Sequence, residues 1–484
     1  MTTSSADVIR FPVRPDKGAG RIEMDYLSEP FLLFGDAGLH VDPKSGIDRY
    51  GPRSYGTSLH PRNVRVGIIG TAELSETAQS WMERNAVGVG GDETNRSFPG
   101  FAPDRGFFSS LAFNDGWNAT VSQTEMARLI GVRSQRDRFE EAVKLIEGKL
   151  SLIAERDQPP DYVAIVISEE LLRRCGVVDY FDKARGAIHR DLRRAVKAMA
   201  MKYRIPTQLL RQQTVEDRDP TPPAKIAWNF FSCLYHKAGG FPWVPHGLQP
   251  GTCFVGISFF HPLGSRNNTL QTSLVQAFDE HGEGLILRGH EFEWDPEKEG
   301  TLAPHLSERQ SGQLVDMVLD RYEREVGTRP ARVVIQKTSR YWPAERWGFA
   351  EALRRRVTRF DLLALDGRQS NVRLITTSKY PPLRGTRFSV GDLDFLYTTG
   401  FIAALSEFHG MHVPSPVQIA DHVGQDTPRS QLLTEVLTLT KLNWNSAAFC
   451  GKLPVTLRFA SLVGEIMKEI PGDREPLPQF KFYI

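Results

Sequence analysis

Four polar side chains in the middle of the chain are of the types that hold a phosphate. His189 and Arg193 are four positions apart, a spacing that puts two residues on one face of a helix. Gln208 follows in the run PTQLL, and Lys237 stands in LYHKAGGFPW, just before a glycine pair. Arg and Lys bring charge, Gln brings an amide, and His donates from either ring nitrogen. Any one of these alone is most often a solvated surface group. One from each of three consecutive segments is what a converging anion site would need.

Charge distribution points the same way. The chain is nearly balanced, with 60 Lys and Arg against 58 Asp and Glu, so its net charge names no polyanionic partner. Between Lys183 and Arg211, however, nine basic residues stand against one acid, Asp191, and Arg354, Arg355, Arg356 and Arg359 form a second run. Each run alone fits a solvated helix face. Two together favour a phosphate-rich ligand. The glycine runs VGIIG (Val66–Gly70) and GVGG (Gly88–Gly91) lack the spacing and the acidic partner of a dinucleotide fingerprint. The four cysteines, Cys175, Cys233, Cys253 and Cys450, are widely separated and show neither a zinc knuckle nor a disulfide framework. They fit a reducing cytoplasm. There is no unbroken apolar stretch of spanning length, and the opening MTTSSADVIRFPVRPDKGAG lacks an apolar signal core. No membrane association is expected.

The elements that must carry these residues read as α/β. NVRVGIIG from Asn63 is a buried strand. Phe139, Val143, Ile146, Leu150 and Ile153 recur at helical steps. YVAIVI, Tyr162–Ile167, is a fully apolar strand of the parallel type. A basic helix is expected from about Arg190 to Met201, and another from Ala224 to Lys237, stopped by Gly239 and Gly240. The region from Thr94 to Trp117 reads as loop. The Pro/Gly-rich FPWVPHGLQPGT marks a boundary. Beyond it CFVGISFF, a turn at RNN, and Thr269–Phe278 form a hairpin, with Leu285–Phe292 as a third strand. Helix Ser307–Val326, strand RVVI and helix Glu345–Val357 follow. That order fits a ribonuclease-H fold.

His189, Arg193, Gln208 and Lys237, with the flanking TQ and KAGG, resemble the MID-domain pocket of Argonaute proteins, which anchors the 5′-phosphate of a guide strand. In that family the second position is usually Lys, whereas Arg193 stands here. FGDAGLHVDPKSGIDRYGP resembles the opening of short prokaryotic Argonautes. VGISFF, VVIQK, LRGTRFSVGDLDFLYTTGF, LTKLNWNS, LPVTLRFASLVGEI and the terminal Phe482-Tyr483-Ile484 resemble a PIWI domain in order. The resemblance implies an α/β architecture with a Rossmann-like MID domain and a ribonuclease-H-like PIWI domain. Residues 1–60 would be a segment packing on the PIWI lobe, 61–240 the MID domain and 241–484 the PIWI domain.

The same resemblance implies the functional parts. An active PIWI domain holds two divalent ions on a carboxylate tetrad. At three of those positions this chain has Ser258, Thr338 and Ser461; Glu291 or Glu293 is the candidate for the remaining Glu. The expectation is a chain that binds and does not cut. The guide, RNA by this reading, would be anchored with Mg²⁺ between its phosphate, Gln208 and the carboxylate of Ile484. The target would be single-stranded DNA of a plasmid or phage, in prokaryotic immunity. The partner would be an APAZ-domain effector of sirtuin-like, TIR or nuclease type, joined as a heterodimer in the cytoplasm. Two alternatives stay open: an active guided nuclease whose acids align elsewhere, and an α/β metabolic enzyme.

Overall fold

The most apolar strands of the first half bury both faces, and this sets the layers around them. The computed structural model of the chain describes residues 22–93, 95–182, 186–263, 269–277, 284–367, 372–375, 381–391, 393–408, 412–424, 427–470 and 474–484. The first unit runs Asn63–Gly70 (β1), Ala72–Ala86 (α1), Ser110–Phe113 (β2), Gln135–Ala154 (α2) and Tyr162–Ile167 (β3). It continues through Val177–Asp182 (β4), Gly186–Asp191 (β5), Leu192–Ala200 (α3), Thr207–Arg211 (β6) and Pro223–Lys237 (α4). The central strands lie in the order β6-β3-β1-β2, each adjoining pair parallel. Ile68, Ala164 and Val166 share a cluster with Trp81 of α1 and Phe231 of α4. The alternate residues Ile69, Val163, Ile165 and Ile167 pack with Phe139 and Ile146 of α2 and Val196 of α3. A sheet covered on both faces is what makes YVAIVI continuously apolar.

Two local expectations need correction. The segment before the basic helix is a hairpin: β4 and β5 pair antiparallel, with Asp179 opposite His189. The helix itself begins only at Leu192, where the side chain of Asp191 caps it by accepting from the Arg194 amide at 3.0 Å. His189 therefore lies on a strand, and His189 and Arg193 do not share a helical face. The region read as loop from Thr94 carries short strands, Phe101–Ala102, Arg105–Gly106 and β2.

The second unit is built on Thr252–Phe260 (β7), Thr269–Ala277 (β8), Gly284–Glu293 (β9), Glu308–Val326 (α5), Arg332–Lys337 (β10), Pro343–Arg354 (α6) and Arg359–Asp366 (β11). Thr386–Val390 (β12), Leu393–Leu396 (β13), Val417–Val423 (β14), Arg429–Leu439 (α7) and Val455–Met467 (α8) complete it. Among the described residues its sheet has nine strands, in the order Glu23–Tyr26, β12, β13, β14, β11, β10, β7, β8, β9. β7, β10 and β11 run parallel, and the β7-β8-β9 meander is antiparallel. The turn expected at RNN lies outside the described residues. Val255, Ile257, Val333 and Ile335 face α5 and α6. On the opposite face α8 comes so close that a Cβ at Gly256 would meet the Thr456 carbonyl oxygen at 2.3 Å. The glycine of VGISFF is thus a packing requirement.

The units share one core. Trp243, in the Pro/Gly-rich connection, donates from Nε1 to the Lys441 carbonyl at 3.0 Å, and Trp444 donates to the Trp243 carbonyl at 2.9 Å. A single apolar cluster runs from Val64 and Trp81 to Phe459, Tyr483 and Ile484. The opening segment divides between the units. Glu23–Tyr26 joins the edge of the large sheet, and Glu29 pairs with the buried Arg384 and Lys441, each at 2.9 Å. Leu32, Phe34 and Ile47 enter the core of the first unit.

Candidate functional site

The first turns of α3 set two cations one helical turn apart. Arg193 and Lys197 are four positions apart within Leu192–Ala200, so both project from one face. Arg193 is exposed, whereas Lys197 is 2% and Lys237 1% accessible. Lys237 comes from the last turn of α4 and donates to the Thr207 carbonyl at 3.0 Å and to Oε1 of Gln208. Gln208 itself, on β6, is half-buried. Lys197 donates to the main-chain oxygen of Ile484. Arg193, Lys197, Gln208, Lys237 and Ile484 thus form one cluster, with an exposed arginine at its edge and two buried lysines within it.

The electrostatics of this cluster are unusual. Burial, reinforced by Lys237 and Arg193, holds the Lys197 amine well below the ordinary lysine range. Burial also lowers Lys237, an effect partly offset by the thiol of Cys233. The acceptors named above are an amide oxygen and main-chain oxygens. Such a cluster gains by taking up an anion.

Of the sequence-predicted residues, Arg193, Gln208, Lys237 and Ile484 come together. His189 stays outside this set of contacts: it is exposed and bonds Asp179 across the hairpin at 2.8 Å. Lys197 takes its place in the quartet. The signal for it was present, since Arg193 to Lys197 repeats the four-residue spacing and supplies the lysine expected at the second position. Neighbouring basic residues serve another purpose. Arg190 pairs with Glu140 at 2.5 Å and with Glu469 at 2.7 Å, and Arg194 pairs with Glu465 at 2.6 Å. Glu465 and Glu469 lie on and just beyond α8, so part of the basic run ties the two units together. Arg356, in the second run, pairs with Asp316, Asp320 and Glu323.

Ser258 lies on β7, Thr338 directly follows β10, and Ser461 lies on α8. Gly256 pairs with Gln336 at the end of the parallel β7-β10 ladder, two residues before Ser258 and Thr338 respectively. Ser461 is on the exposed side of α8, which packs over Gly256. Glu291 and Glu293 are on β9, which β8 separates from β7. Both are exposed. Among the described residues, no three His, Cys, Asp or Glu side chains group so as to hold a metal ion.

No protein-family model and no curated protein matches the sequence. Solved structures do match. Clostridium butyricum Argonaute bound to a guide DNA and a 19-mer target DNA aligns with a TM-score of 0.65 at 15% identity, over 96% of this chain and 55% of that one. Aa-Ago with externally bound siRNA aligns at 0.58 and 14%, over 95% of this chain and 56% of its own. Drosophila Piwi aligns at 0.56 and 12%, over 95% and 55%. The chain thus spans about half the length of these proteins. Over that span it has the Argonaute fold: a Rossmann-like MID unit joined to a ribonuclease-H-like PIWI unit.

Proposed function

We propose that the chain is a guide-binding subunit that recognises complementary nucleic acid without cutting it. The observation that carries this reading is the clustering of Arg193, Gln208 and the buried Lys197 and Lys237 beside Ile484. A 5′-monophosphate carries close to two negative charges at neutral pH. Arg193 would meet it at the edge, Lys197 and Lys237 would turn their donors to its oxygens, and Gln208 would contribute its amide. Proteins with this fold are described with guide DNA, target DNA and siRNA. The family reading makes the guide here RNA and the target single-stranded DNA of a plasmid or phage.

Two hard oxygens, Gln208 Oε1 and the Ile484 main-chain oxygen, are of the type that suits Mg²⁺, and each now accepts from a lysine. They fit the ion in company with a phosphate, since Mg²⁺ usually completes its shell with phosphate and water. Bound there, it would add positive charge against the phosphate. Gln208 and Ile484 would hold it.

Ser258, Thr338 and Ser461 are the basis for reading the PIWI unit as inactive. Two-metal phosphodiester hydrolysis needs carboxylates to neutralise and place the ions, and neutral hydroxyls do neither. Output would then come from a partner, by the family reading an APAZ-domain effector of sirtuin-like, TIR or nuclease type. It would be held in a cytoplasmic heterodimer serving prokaryotic immunity.

The test is the nucleic acid that accompanies the protein from cells. Short strands with a 5′-phosphate, labelled only after phosphatase treatment, are expected. Strands of random length with 5′-hydroxyl ends would contradict the reading.

A further inference from the structure

Exposed apolar side chains gather at one edge of the nine-stranded sheet. Met24 and Tyr26 on its outermost strand, Ile22 just before them, and Val390 and Leu393 at the β12-β13 turn are between 39% and 64% accessible. The register joins them to the core. Met24 stands opposite Phe388, and Phe388 opposite Phe395. Both phenylalanines are buried, with their rings stacked at 4.9 Å. Met24 thus continues a buried apolar row past the last strand and into solvent. Side chains alternate along a strand, so Met24 and Tyr26 share this face and Glu23 and Asp25 share the other.

The backbone of this strand is open on its outer side. Leu27 N–H donates to the Gly385 carbonyl at 3.0 Å, and Tyr397 N–H donates to the Thr386 carbonyl at 2.9 Å. Residues of an antiparallel pair bond alternately to one side and the other. Glu23 and Asp25 therefore bond toward β12, while Met24 and Tyr26 turn their N–H and C=O groups away from the sheet. The Tyr26 amide is met by Asp25 Oδ1 at 2.7 Å. Among the described residues, no strand lies beyond. The opposite edge is covered: Ile286 of β9 donates to the Pro478 carbonyl at 2.7 Å, and Leu285 bridges Gln479. An open edge flanked by apolar side chains is a template for another strand.

The acids decide which strand. Antiparallel pairing with a second copy would set Met24 opposite Met24 or Met24 opposite Tyr26. The first register puts Glu23 against Asp25, and the second puts Asp25 against Asp25. Like charges directly opposite destabilise a pair, so a second copy is disfavoured. Glu23 has no ion-pair partner among the described residues, and Arg387, opposite Asp25, turns to Asp394 at 3.7 Å. Lys or Arg on an incoming strand would complete both acids. A basic group opposite Asp25 would also draw its carboxylate off the Tyr26 amide and return that donor to the ladder. We propose that Glu23–Tyr26 is a docking edge for a separate protein chain, which adds an antiparallel strand alternating apolar with basic residues. Its apolar side chains cover Met24 and Tyr26, and its basic ones pair with Glu23 and Asp25. The guide-pocket reading is independent of this edge, and either can fail alone.

The probe is a fluorescent peptide of about ten residues that alternates valine with lysine. It is titrated into the full chain at one fixed salt concentration and followed by anisotropy. One control alternates valine with glutamate, and another carries the same valines and lysines in two blocks. The alternating lysine peptide should saturate, and both controls should bind about tenfold more weakly. Met24→Pro removes the outward N–H, sets a ring against the incoming strand and leaves the inward ladder in place. It should keep the thermal melt and lose about tenfold in peptide affinity or more. Glu23→Lys combined with Asp25→Lys should reverse the preference toward the valine–glutamate peptide, and this reversal decides the matter even if Met24→Pro fails to fold. Equal binding of the three peptides, unchanged binding to folded Met24→Pro, or no reversal in the lysine variant overturns the proposal. No binding to the unaltered chain overturns it as well, and sedimentation then shows whether a second copy fills the edge.

Discussion

Arg193 and His189 make opposite predictions about the same ligand. Arg193 is exposed at the edge of the cluster, so removing it should cost little stability. A hydrogen bond to a charged group is worth roughly 1.5–3 kcal/mol, or about tenfold to a hundredfold in affinity. Arg193→Ala should therefore weaken binding of a 5′-phosphorylated strand by that factor in a filter-binding assay and spare the 5′-hydroxyl strand. His189→Ala should change neither by more than about twofold, because an exposed contact such as His189–Asp179 contributes little. A large loss from His189→Ala would restore the histidine to the pocket. The sequence made Gln208, Lys237 and Arg193 legible because each is a polar group at the edge of an apolar segment. Lys197 also carried a signal, the four-residue step from Arg193, but its apolar neighbours in AVKAMAM mask it.

At the scale of elements, legibility followed burial. YVAIVI and the periodic apolar positions of α2 are covered on fixed faces, and their patterns survive in the sequence. The β4-β5 hairpin did not show, for a physical reason. Val178 and Ile188 are buried on its inner face, but its outer face mixes Val177 and Phe181, 52% and 75% exposed, with Asp179 and His189. Apolar residues on both sides blur the alternation that marks a strand. The glycine of VGISFF carried information of another kind, a close approach of α8 to β7. Gly256→Ala would force a Cβ to within 2.3 Å of backbone, an overpacking cost of about 1–3 kcal/mol. Its thermal melt should fall by a few degrees relative to the unaltered chain. An unchanged melt would mean that α8 moves aside freely, and the joint core would then be looser than described. Removing the bridge between units by Arg194→Ala should act less, since its partner Glu465 is only half-buried.

For the whole molecule, the fold is that of an Argonaute core and the proposed role is binding without cutting. Guide-loaded protein given a matched target and Mg²⁺ or Mn²⁺ should leave the target intact in a gel assay. Cleavage at one fixed position would mean that acids other than Ser258, Thr338 and Ser461 complete the PIWI site. The most direct measurement is the affinity ratio between 5′-phosphate and 5′-hydroxyl forms of one RNA at one fixed salt concentration, which holds general backbone attraction constant. It compares the unaltered chain with Lys237→Met, an apolar side chain of similar length. The predicted result is a strong preference for the phosphate in the unaltered chain and a ratio near one in the variant, with 5′-hydroxyl affinity almost unchanged. A ratio near one in the unaltered chain, or a preference that persists in folded Lys237→Met, would contradict the guide pocket.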